Sequence, residues 1–486
     1  MSKKAKTAIT PTREENFPEW YQQVVKAADL AENSPVRGCM TVKPYGWAIW
    51  ENMVGVFDPW LKDYGVQNAS FPMLIPVSFL SKEAEHVEGF AKECAVVTHH
   101  RLEANPDGNG LRPAPAAELE EPYVVRPTSE TIIGDAMARW IQSYRDLPMK
   151  LNQWCSVLRW EMRPRIFLRT GEFFWHEGHN AFADHEGAKG DCLHVLGLYD
   201  KFFREYLAVD GVMGIKTEAE RFPGANETYS IECMMQDGKA LQACTTHDLG
   251  TNFAKTFGIK YQSRDGGEAL CHTTSWAFTT RMIGALIMMH GDDDGMVMPP
   301  RIAPQQVVVL PVLKGDNDAA IMAYCAKIAE GLKGQGISAK VDERDMRTPD
   351  KMWDAIKKGI PLRVEVGGRE MEEGVVTHVR RDIGRESKAT QSFDEFIAGA
   401  QGVLDAVHDD MLAKQRAFRE KNTHEGQTLG DVIAHFDKNK GTGFVRVPVE
   451  VLGDSAFLAV TKDLSLTTRC MPFEDGGKTV LIAKAY

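Results

Sequence analysis

Three prolines in one short segment divide this chain into two regions of different pattern. They stand in residues 298–304, which read Met-Pro-Pro-Arg-Ile-Ala-Pro. Proline lacks the backbone N–H and fixes φ, so such a segment can continue neither a helix nor a central strand. We therefore place a domain boundary here, and the regions on either side are expected to fold as separate units.

Before the boundary, predicted strands follow one another through short loops. A helix is expected over residues 44–64, where apolar side chains recur at steps of three and four. A strand with prolines near both ends is expected at 69–76, and an exposed loop at 104–122. Sequential strands with short connections favour an antiparallel sheet with added helices, an α+β domain. The other strands are expected around 123–126, 151–161, 178–183, 230–236 and 241–245, with helices around 129–144 and 186–209.

After the boundary the pattern changes, because short apolar strands alternate with helices. This alternation predicts a small parallel or mixed α/β domain. The last part opens with a polar helix at 393–421 and ends in strand-like runs, and it is expected to form a small α/β domain. We therefore predict domains at 1–302, 303–405 and 406–486. In the middle domain, strands are expected at 307–311, 337–341 and 362–366 and helices at 319–332 and 350–358; the final runs are 467–472 and 479–483.

Composition excludes several classes of protein. The 486 residues are 43% hydrophobic and 26% charged, an ordinary globular balance. The longest apolar run, around 282–289, is far shorter than the about 20 residues of a membrane span, so no membrane segment is expected. Residues 1–10 carry lysines with no apolar stretch behind them, and we expect no secretory signal.

Cysteine spacing and net charge exclude further kinds of site and partner. The nine cysteines are scattered, without CxxC spacing, which argues against a zinc ribbon or a disulfide framework. A reducing cytoplasm is the simplest compartment. The net charge of −11 disfavours a protein coated in nucleic acid, although a local basic face would still bind phosphates.

Residues 158–161 read Leu-Arg-Trp-Glu and end the predicted strand 151–161. Side chains two apart share a face of a strand, so Arg159 and Glu161 are expected to project together. A guanidinium suits a phosphate, and a carboxylate can accept a hydrogen bond from an amino group such as that of adenine. From these residues alone, an exposed ion pair is the open alternative.

Two further segments suggest anion binding. Arg163, Arg165 and Arg169 stand in a loop between two predicted strands, where they would face a polyanion or form a solvated basic hairpin. A threonine-rich stretch leads into the apolar helix that begins near Arg281. Free N–H groups and the helix dipole favour an anion in that first turn, while an ordinary capped core helix is the alternative.

Taken together, these segments resemble the three motifs of class II aminoacyl-tRNA synthetases, and specifically prolyl-tRNA synthetases of the archaeal and eukaryotic type. The helix 44–64 with its proline-ended strand is similar to motif 1. Residues 158–161 and 167–173 are similar to motif 2, and 275–281 with the following helix to motif 3. Residues 126–130 and 241–247 also match, and the resemblance extends from about Phe17 to Tyr486.

The resemblance implies activation of L-proline by ATP to prolyl-adenylate, then transfer to the 3′ end of tRNA(Pro). It implies that Thr128 and Glu130 hold the proline nitrogen and that Arg159 contacts the proline carboxylate and the α-phosphate. Arg281 would bind the terminal phosphates, which Mg²⁺ is expected to bridge. The implied walls of the proline pocket are Trp175, Phe222, His247 and Ser275. The other implied ATP contacts are Glu161 at the adenine amino group, Arg169, Thr170, Gln242, Thr245 and Thr279.

The sequence departs from the family pattern in ways that change expectations. Ala277 stands where motif 3 usually has glycine, and Gly171 where motif 2 often has a basic residue. Many relatives hold zinc through four cysteines in the last domain, but only Cys470 lies there, so no structural zinc is expected. The stretch between motifs 2 and 3 is too short for the bacterial editing insertion, and none is expected.

The middle domain resembles the anticodon-binding module of the family. Candidates for anticodon contacts are Arg344, Arg347, Lys351 and Arg363, because arginine reads guanine edges with two hydrogen bonds. A surface network of ion pairs is the open alternative for each of them. The family also implies a homodimer through the motif 1 helix and strand.

Three rival interpretations remain. Residues 175–179, with Asp184 and His185 nearby, carry metal-ligand types, but their spacing is wrong for the HExxH motif of metalloproteases. The acidic segment 290–295 would bind a cation or form a solvated loop. A synthetase-like binding factor without activity is the third possibility, and the complete set of motif residues argues against it.

Overall fold

The structure is a computed structural model that describes residues 7–82, 93–315, 317–437 and 441–486. The expectation of no secretory signal concerns residues 1–10, of which residues 1–6 lie outside the described residues. Within the described ranges, no helix is both long enough and apolar enough to cross a bilayer.

Before the proline-rich segment, the chain forms an α+β domain, as predicted. It is not a separate unit, because Met471–Pro472 near the C-terminus adds a strand to its large sheet. Its helices are α1 Arg13–Ala27, α2 Pro44–Asp63, α3 Val77–Lys82, α4 Glu130–Trp140, α5 His185–Leu207, α6 Asn252–Phe257 and α7 Arg281–His290. Its strands are β1 Ala31–Asn33, β2 Met40–Val42, β3 Gln67–Asn68, β4 Leu74–Pro76, β5 Val96–His99, β6 Leu102–Ala104, β7 Leu111–Pro113, β8 Glu118–Val125, β9 Met149–Leu158, β10 Glu172–Phe182, β11 Val212–Ile215, β12 Glu227–Met234, β13 Ala240–Gly250, β14 Lys260–Gln262, β15 Glu268–Leu270 and β16 His272–Thr279.

After that segment, a mixed α/β domain and a small C-terminal domain follow. The mixed domain contains β17 Val307–Pro311, α8 Asp318–Gly334, β18 Ala339–Val341, α9 Thr348–Lys358, β19 Leu362–Val366, α10 Gly368–Glu373, β20 Val375–Arg380, β21 Ala389–Ser392 and α11 Phe393–Lys421. The C-terminal part contains β22 Thr423–Glu425, α12 Leu429–Phe436, β23 Phe444–Pro448, α13 Phe457–Asp463, β24 Thr467–Thr468, β25 Met471–Pro472 and β26 Thr479–Ala483.

The large sheet of the first domain has eight strands among the described residues, in the order β25-β11-β12-β13-β16-β10-β9-β3. The strands from β25 to β9 pair antiparallel, and β3 joins β9 in parallel. In the middle domain, β17 pairs in parallel with β18 and β19, and β20 and β21 continue antiparallel. Strand β17 is buried along its whole length, as expected of a parallel strand covered on both faces.

Helix α2 shows why the apolar stripe of residues 44–64 forms. Proline at its start costs no helical hydrogen bond, and Gly65 follows its end with a left-handed φ of +85°. Trp50, Phe57 and Leu61 are buried in the domain core, where the Phe57 ring stacks on Tyr199 with centroids 5.3 Å apart. Much of the stripe therefore packs against its own chain.

Two predicted elements differ in the structure. The strand expected at 69–76 is limited to its last three residues, β4, because Pro72 cannot donate to a ladder, and β3 ends just before the predicted range in a different sheet. The expected loop 104–122 is largely exposed, but it contains β7 and the start of β8. The predicted domain boundary after residue 405 falls within α11, which continues unbroken from the middle domain to Lys421.

The acidic segment after α7 joins the first and middle domains, so the expectation of a solvated loop there is wrong. The Asp292 carboxylate accepts two hydrogen bonds from Arg381, at 2.6 and 2.7 Å. Asp293 pairs with Arg13 at 3.2 Å. The backbone N–H groups of Met296 and Met298 donate to the carbonyls of Lys357 and Gly359, at 3.0 and 3.1 Å. Paired aspartates cannot serve as the predicted cation site without giving up these contacts.

Candidate active site

A cleft of about 450 Å³ opens on one face of the large sheet. Its floor is formed by β10, β12, β13 and β16, and its rim by the loop between β9 and β10. The first residues of α4 and α7, Glu130 and Arg281, enter it from two sides. The structure brings every predicted proline and ATP contact into this cleft: Thr128, Glu130, Arg159, Glu161, Arg169, Thr170, Trp175, Phe222, Gln242, Thr245, His247, Ser275, Thr279 and Arg281.

One end of the cleft carries buried carboxylates. Glu130 accepts a hydrogen bond from the Thr128 hydroxyl. Glu177 accepts from Ser129 at 2.5 Å, from Gln153 at 2.6 Å and from His179 at 2.9 Å. Carboxylates held in this way inside a protein are suited to pair with a cationic group of a ligand.

Sequence reasoning did not assign Glu177 and His179 to the pocket. They follow Trp175 at steps of two on β10, and alternate residues of a strand share a face. That periodicity was the signal that could have found them, because Trp175 was already predicted as a pocket wall. The intervening His176 faces the core, where it contacts Asn152 and Tyr199 at 2.9 Å. His176 and His179 lie on opposite faces and cannot share a metal ion.

The pKa values of the two pocket histidines are shifted in opposite directions. Burial lowers the pKa of His179, but the Glu177 carboxylate outweighs it, so the pKa is raised above the ordinary 6.5. Burial lowers the pKa of His247 to about 3, assisted by the positive charge of His179 and of Lys216. His247 is therefore neutral at physiological pH; its Nδ1 lies 3.0 Å from the Thr228 hydroxyl and its ring packs against Phe222.

Arg159 lies between the two ends of the cleft. Its Nε donates to the Pro127 carbonyl at 3.0 Å, and its guanidinium lies 5.4 Å from the ring centroids of both Phe173 and Trp175. Burial lowers its pKa to about 10, against the attraction of Glu130. The guanidinium therefore remains charged at neutral pH in a position to bind an anion.

The prediction that Arg159 and Glu161 share a face of one strand is wrong. Strand β9 ends at Leu158, and the N–H of Trp160 donates to the Glu93 carbonyl at 3.0 Å instead of pairing with β10. The turned chain still brings both side chains to the cleft. Glu161 accepts from Arg169 Nε at 2.6 Å and from the N–H of Arg163 at 2.9 Å.

The other end of the cleft is cationic. Arg281 begins α7, its N–H donates to the Thr279 hydroxyl at 3.0 Å, and its Nε donates to the Leu168 carbonyl at 3.2 Å. Among the described residues, the buried hydroxyls of Thr170 and Ser275 have no hydrogen-bond partner. Buried polar groups are normally satisfied, so these hydroxyls are suited to contact a bound ligand.

Ala277, which stands where motif 3 usually has glycine, lies on β16 in the lining of the cleft, opposite Thr245 on β13. Its side chain is only partly buried. The extra methyl therefore stands in open cleft space rather than against a packed neighbour.

The candidate anticodon residues lie in the middle domain, apart from the cleft, and the arginines are ion-paired. Arg344 contacts Asp342 and Asp354, Arg347 contacts Asp350, and Arg363 contacts Glu365. The Arg347 side chain is 83% exposed. The ammonium of Lys351 is buried and donates to the Asp342 carbonyl at 2.8 Å, so RNA contact would require it to leave that hydrogen bond.

The Glu177–His179 ion pair predicts how stability depends on pH. A raised histidine pKa contributes stability that is complete below the ordinary value of 6.5 and is lost as pH rises through the raised value. Glu177, whose pKa is lowered, stays charged throughout that window. We expect the difference in thermal unfolding midpoint between the unaltered protein and His179→Gln to shrink from about pH 6 to about pH 9.

The control for this measurement is His100→Gln, since His100 is exposed and does not line the cleft. That variant should keep the full pH dependence of the unaltered protein. A His179→Gln difference that stays constant across the range would contradict a charged histidine.

Two family models match this chain, one on each side of the proline-rich segment. Residues 115–290 match the family model described as "tRNA synthetase class II core domain (G, H, P, S and T)", and residues 306–401 match "Anticodon binding domain". A proline–tRNA ligase of Bdellovibrio bacteriovorus is 49% identical, over 99% of this chain and 100% of the relative. One of Paramagnetospirillum magneticum is 51% identical, over 98% and 96%. The crystal structure of a Cryptosporidium parvum prolyl-tRNA synthetase, complexed with halofuginone and AMPPNP, superposes with a TM-score of 0.89 at 33% identity, over 99% of both chains.

Proposed function

This chain belongs to the proline–tRNA ligase family, and we propose that its cleft carries out both steps of that reaction. L-Proline is activated by ATP to prolyl-adenylate, and the prolyl group is then transferred to the 3′ end of tRNA(Pro). The observation that carries the proposal is the arrangement of charge in one cleft. Buried carboxylates stand at one end, arginines at the other, and Arg159 lies between them.

The carboxylate end fits the proline nitrogen. A secondary ammonium needs an anionic partner once it is buried, and Glu130, held by Thr128, supplies one. Trp175, Phe222, His247 and Ser275 line the same part of the cleft and would wall a ring of this size. A neutral His247 adds no competing positive charge.

The first step requires no nucleophilic side chain. A proline carboxylate oxygen attacks the α-phosphorus in line, the bond to the β-phosphate oxygen breaks, and pyrophosphate leaves with its electrons. The protein positions the two reactants and neutralises the charge that develops on phosphate oxygens. Arg159 would act on the carboxylate and α-phosphate, and Arg281 on the terminal phosphates.

The nucleotide would lie across the remaining contacts. Glu161 would accept from the adenine amino group, and the other adenosine and phosphate contacts would come from Arg169, Thr170, Gln242, Thr245 and Thr279. Mg²⁺ is usually bound by substrate phosphates with one or two carboxylates. Among the described residues no cluster of three or more His, Cys, Asp or Glu side chains would hold a metal ion, so the ion would be bound mainly through the nucleotide. When bound, it would reduce the negative charge of the phosphates.

The middle domain would contact the tRNA anticodon. Arg347 is the most exposed of the four candidates, and Arg344 and Arg363 would exchange carboxylate partners for guanine edges. Lys351, buried beneath them, would position the loop that carries Arg344. The proposed domains are 1–302 for catalysis, 303–405 for the anticodon and 406–486 as a zinc-free C-terminal unit.

The proposed subtype is the archaeal and eukaryotic one without an editing insertion. Its support is the coverage of 99% in both directions with the Cryptosporidium chain. We also propose a cytoplasmic homodimer through the motif 1 region. Met73, just before β4, and Val96, on β5 of the same sheet, are 52% and 51% exposed. These exposed apolar side chains support that interface better than the α2 stripe does, because much of the stripe packs in the domain core.

Proline-dependent exchange of labelled pyrophosphate into ATP tests the activation step, and charging of tRNA(Pro) tests the transfer. We expect exchange with proline well above that with other amino acids, and an alkali-labile, acid-stable prolyl-tRNA ester as the product. A folded protein that binds ATP but shows no exchange with proline would support the rival interpretation, a synthetase-like binding factor.

A further inference from the structure

The C-terminal domain inserts one arginine behind the cleft. Between β24, in the sheet of the C-terminal domain, and β25, in the large sheet, the chain crosses from one sheet to the other. Arg469 lies at this crossing, with 8% of its side chain exposed. Gly214 on β11 allows the approach, because a Cβ there would lie 2.4 Å from the Met471 carbonyl oxygen.

Arg469 binds Glu232, a fully buried carboxylate on the floor strand β12. Its Nε and Nη2 donate to Glu232 Oε2 at 2.9 and 2.7 Å. Glu232 pairs with Gln242 across β12 and β13, and directly paired residues of antiparallel strands project to the same face. Gln242 lines the cleft, so Glu232 extends the same row of side chains towards the C-terminal domain.

The group formed by Lys216, Glu232 and Arg469 has a surplus of positive charge. Lys216 Nζ donates to Glu232 Oε1 at 2.6 Å, and the Lys216 and Glu232 side chains are 2% and 0% exposed. Burial raises the pKa of Glu232, but the two cations lower it to about 2, so the carboxylate is charged. Among the described residues, Glu232 is the one carboxylate that contacts either cation. Two buried cations for one carboxylate cost free energy unless a further anion comes near.

The positive charge of Arg469 affects Arg281 in the cleft. Its pKa is lowered, first by burial and then by the positive charges of Arg169 and Arg469, while Glu232 acts in the opposite direction. Within the described residues, Arg281 forms no ion pair of its own. Arg281 therefore lies within the electrostatic influence of Arg169 and Arg469, with Glu232 as the opposing carboxylate, and a polyanion would relieve the repulsion among these three arginines.

We propose that Arg469 is a positioning residue for ATP, through which the C-terminal domain completes the nucleotide site. Together with Lys216 it outnumbers the single carboxylate of Glu232, and the positive charge left in surplus favours the terminal phosphates at Arg281. The inference rests on the proposed function, in which Arg281 binds those phosphates.

Arg469→Met tests it, because methionine keeps an unbranched side chain without the charge. We expect the KM for ATP in pyrophosphate exchange to rise by about 10-fold. The KM for proline and the inhibition constant of AMP, which lacks the terminal phosphates, should each change by less than about 2-fold. Arg469→Lys should recover most of the ATP affinity. Arg446→Met is the matched control, since Arg446 is an ion-paired arginine of the same domain with partners Glu425 and Glu474.

A second variant separates charge from packing. Glu232→Gln with Arg469→Met removes the ion pair but leaves Lys216, so the surplus of one positive charge is kept. The KM of this double variant for ATP should lie within about 3-fold of the KM of the unaltered enzyme. If Arg469→Met alone does not fold, the double variant still tests the proposal. Three results would each overturn the proposal. The first is an unchanged KM for ATP in folded Arg469→Met, and the second is a parallel rise in the KM for ATP, the KM for proline and the inhibition constant of AMP. The third is a 10-fold rise in the KM for ATP of the double variant. Failure of the proposed function itself would appear earlier, as absent exchange in the unaltered enzyme.

Discussion

Arg159→Ala is expected to slow prolyl-adenylate formation by about three orders of magnitude, or about 4 kcal/mol of lost transition-state stabilisation. Arg159 is partly buried in the cleft, where both Glu130 and Arg281 influence its pKa, and it keeps its charge there. In the proposed reaction, it is the group that contacts both the attacking carboxylate and the α-phosphate. Charge stabilisation inside a cleft is worth far more than in water, because little solvent is present to replace it.

The measurement is single-turnover formation of the adenylate at saturating ATP and proline. Arg139→Ala is the matched control, since Arg139 is 65% exposed on α4 and pairs with Asp135 outside the cleft. The control should retain the unaltered rate. Near-normal turnover in folded Arg159→Ala would show that the motif 2 arginine has been assigned the wrong role.

Glu130→Gln is expected to raise the KM for proline by about 100-fold, close to 2.7 kcal/mol. Glutamine keeps the size of the side chain and a hydrogen-bond acceptor, but it leaves a buried secondary ammonium without a counter-charge. The KM for ATP should change little, because Arg281 and Arg169 lie at the other end of the cleft. Comparable increases for both substrates would contradict the assignment of Glu130 to proline.

Steady-state pyrophosphate exchange, with each substrate varied in turn, makes this measurement. Asp135→Asn is the control on the same helix, since its carboxylate is 38% exposed and pairs with Arg139. It removes an equal charge about one helical turn from Glu130 and should leave both KM values within about 2-fold.

Local pattern was enough to predict most of the elements, whereas the contents of the cleft were implied by the resemblance to class II synthetases. The period of residues 44–64 predicted α2, and the alternation after residue 306 predicted the mixed domain. The fourteen proline and ATP contacts lie in one cleft because their motifs occupy adjacent strands or the first turns of helices. Their individual roles stay predictions.

What the sequence did not predict depends on contacts between distant segments. Leu158 ends its strand because Trp160 bonds to Glu93, more than sixty residues earlier. Asp292 is paired because Arg381 comes from another domain. The run 467–472 was read as one strand, but its two halves join different sheets, which places Arg469 behind the cleft. No local periodicity carries such information.

The junction after α7 has a consequence for how the protein handles a large substrate. Helix α7 extends about 15 Å from Arg281 in the cleft towards the junction, and α9 extends about 16 Å from the junction to the exposed Arg347. The C-terminal end of α9 is tied to the first domain by backbone hydrogen bonds and by Arg381. The first and middle domains are therefore held together at this junction by backbone and side-chain bonds. An RNA that contacts both domains would meet their surfaces in one fixed relative orientation, so recognition by the middle domain would also constrain how its 3′ end approaches the cleft.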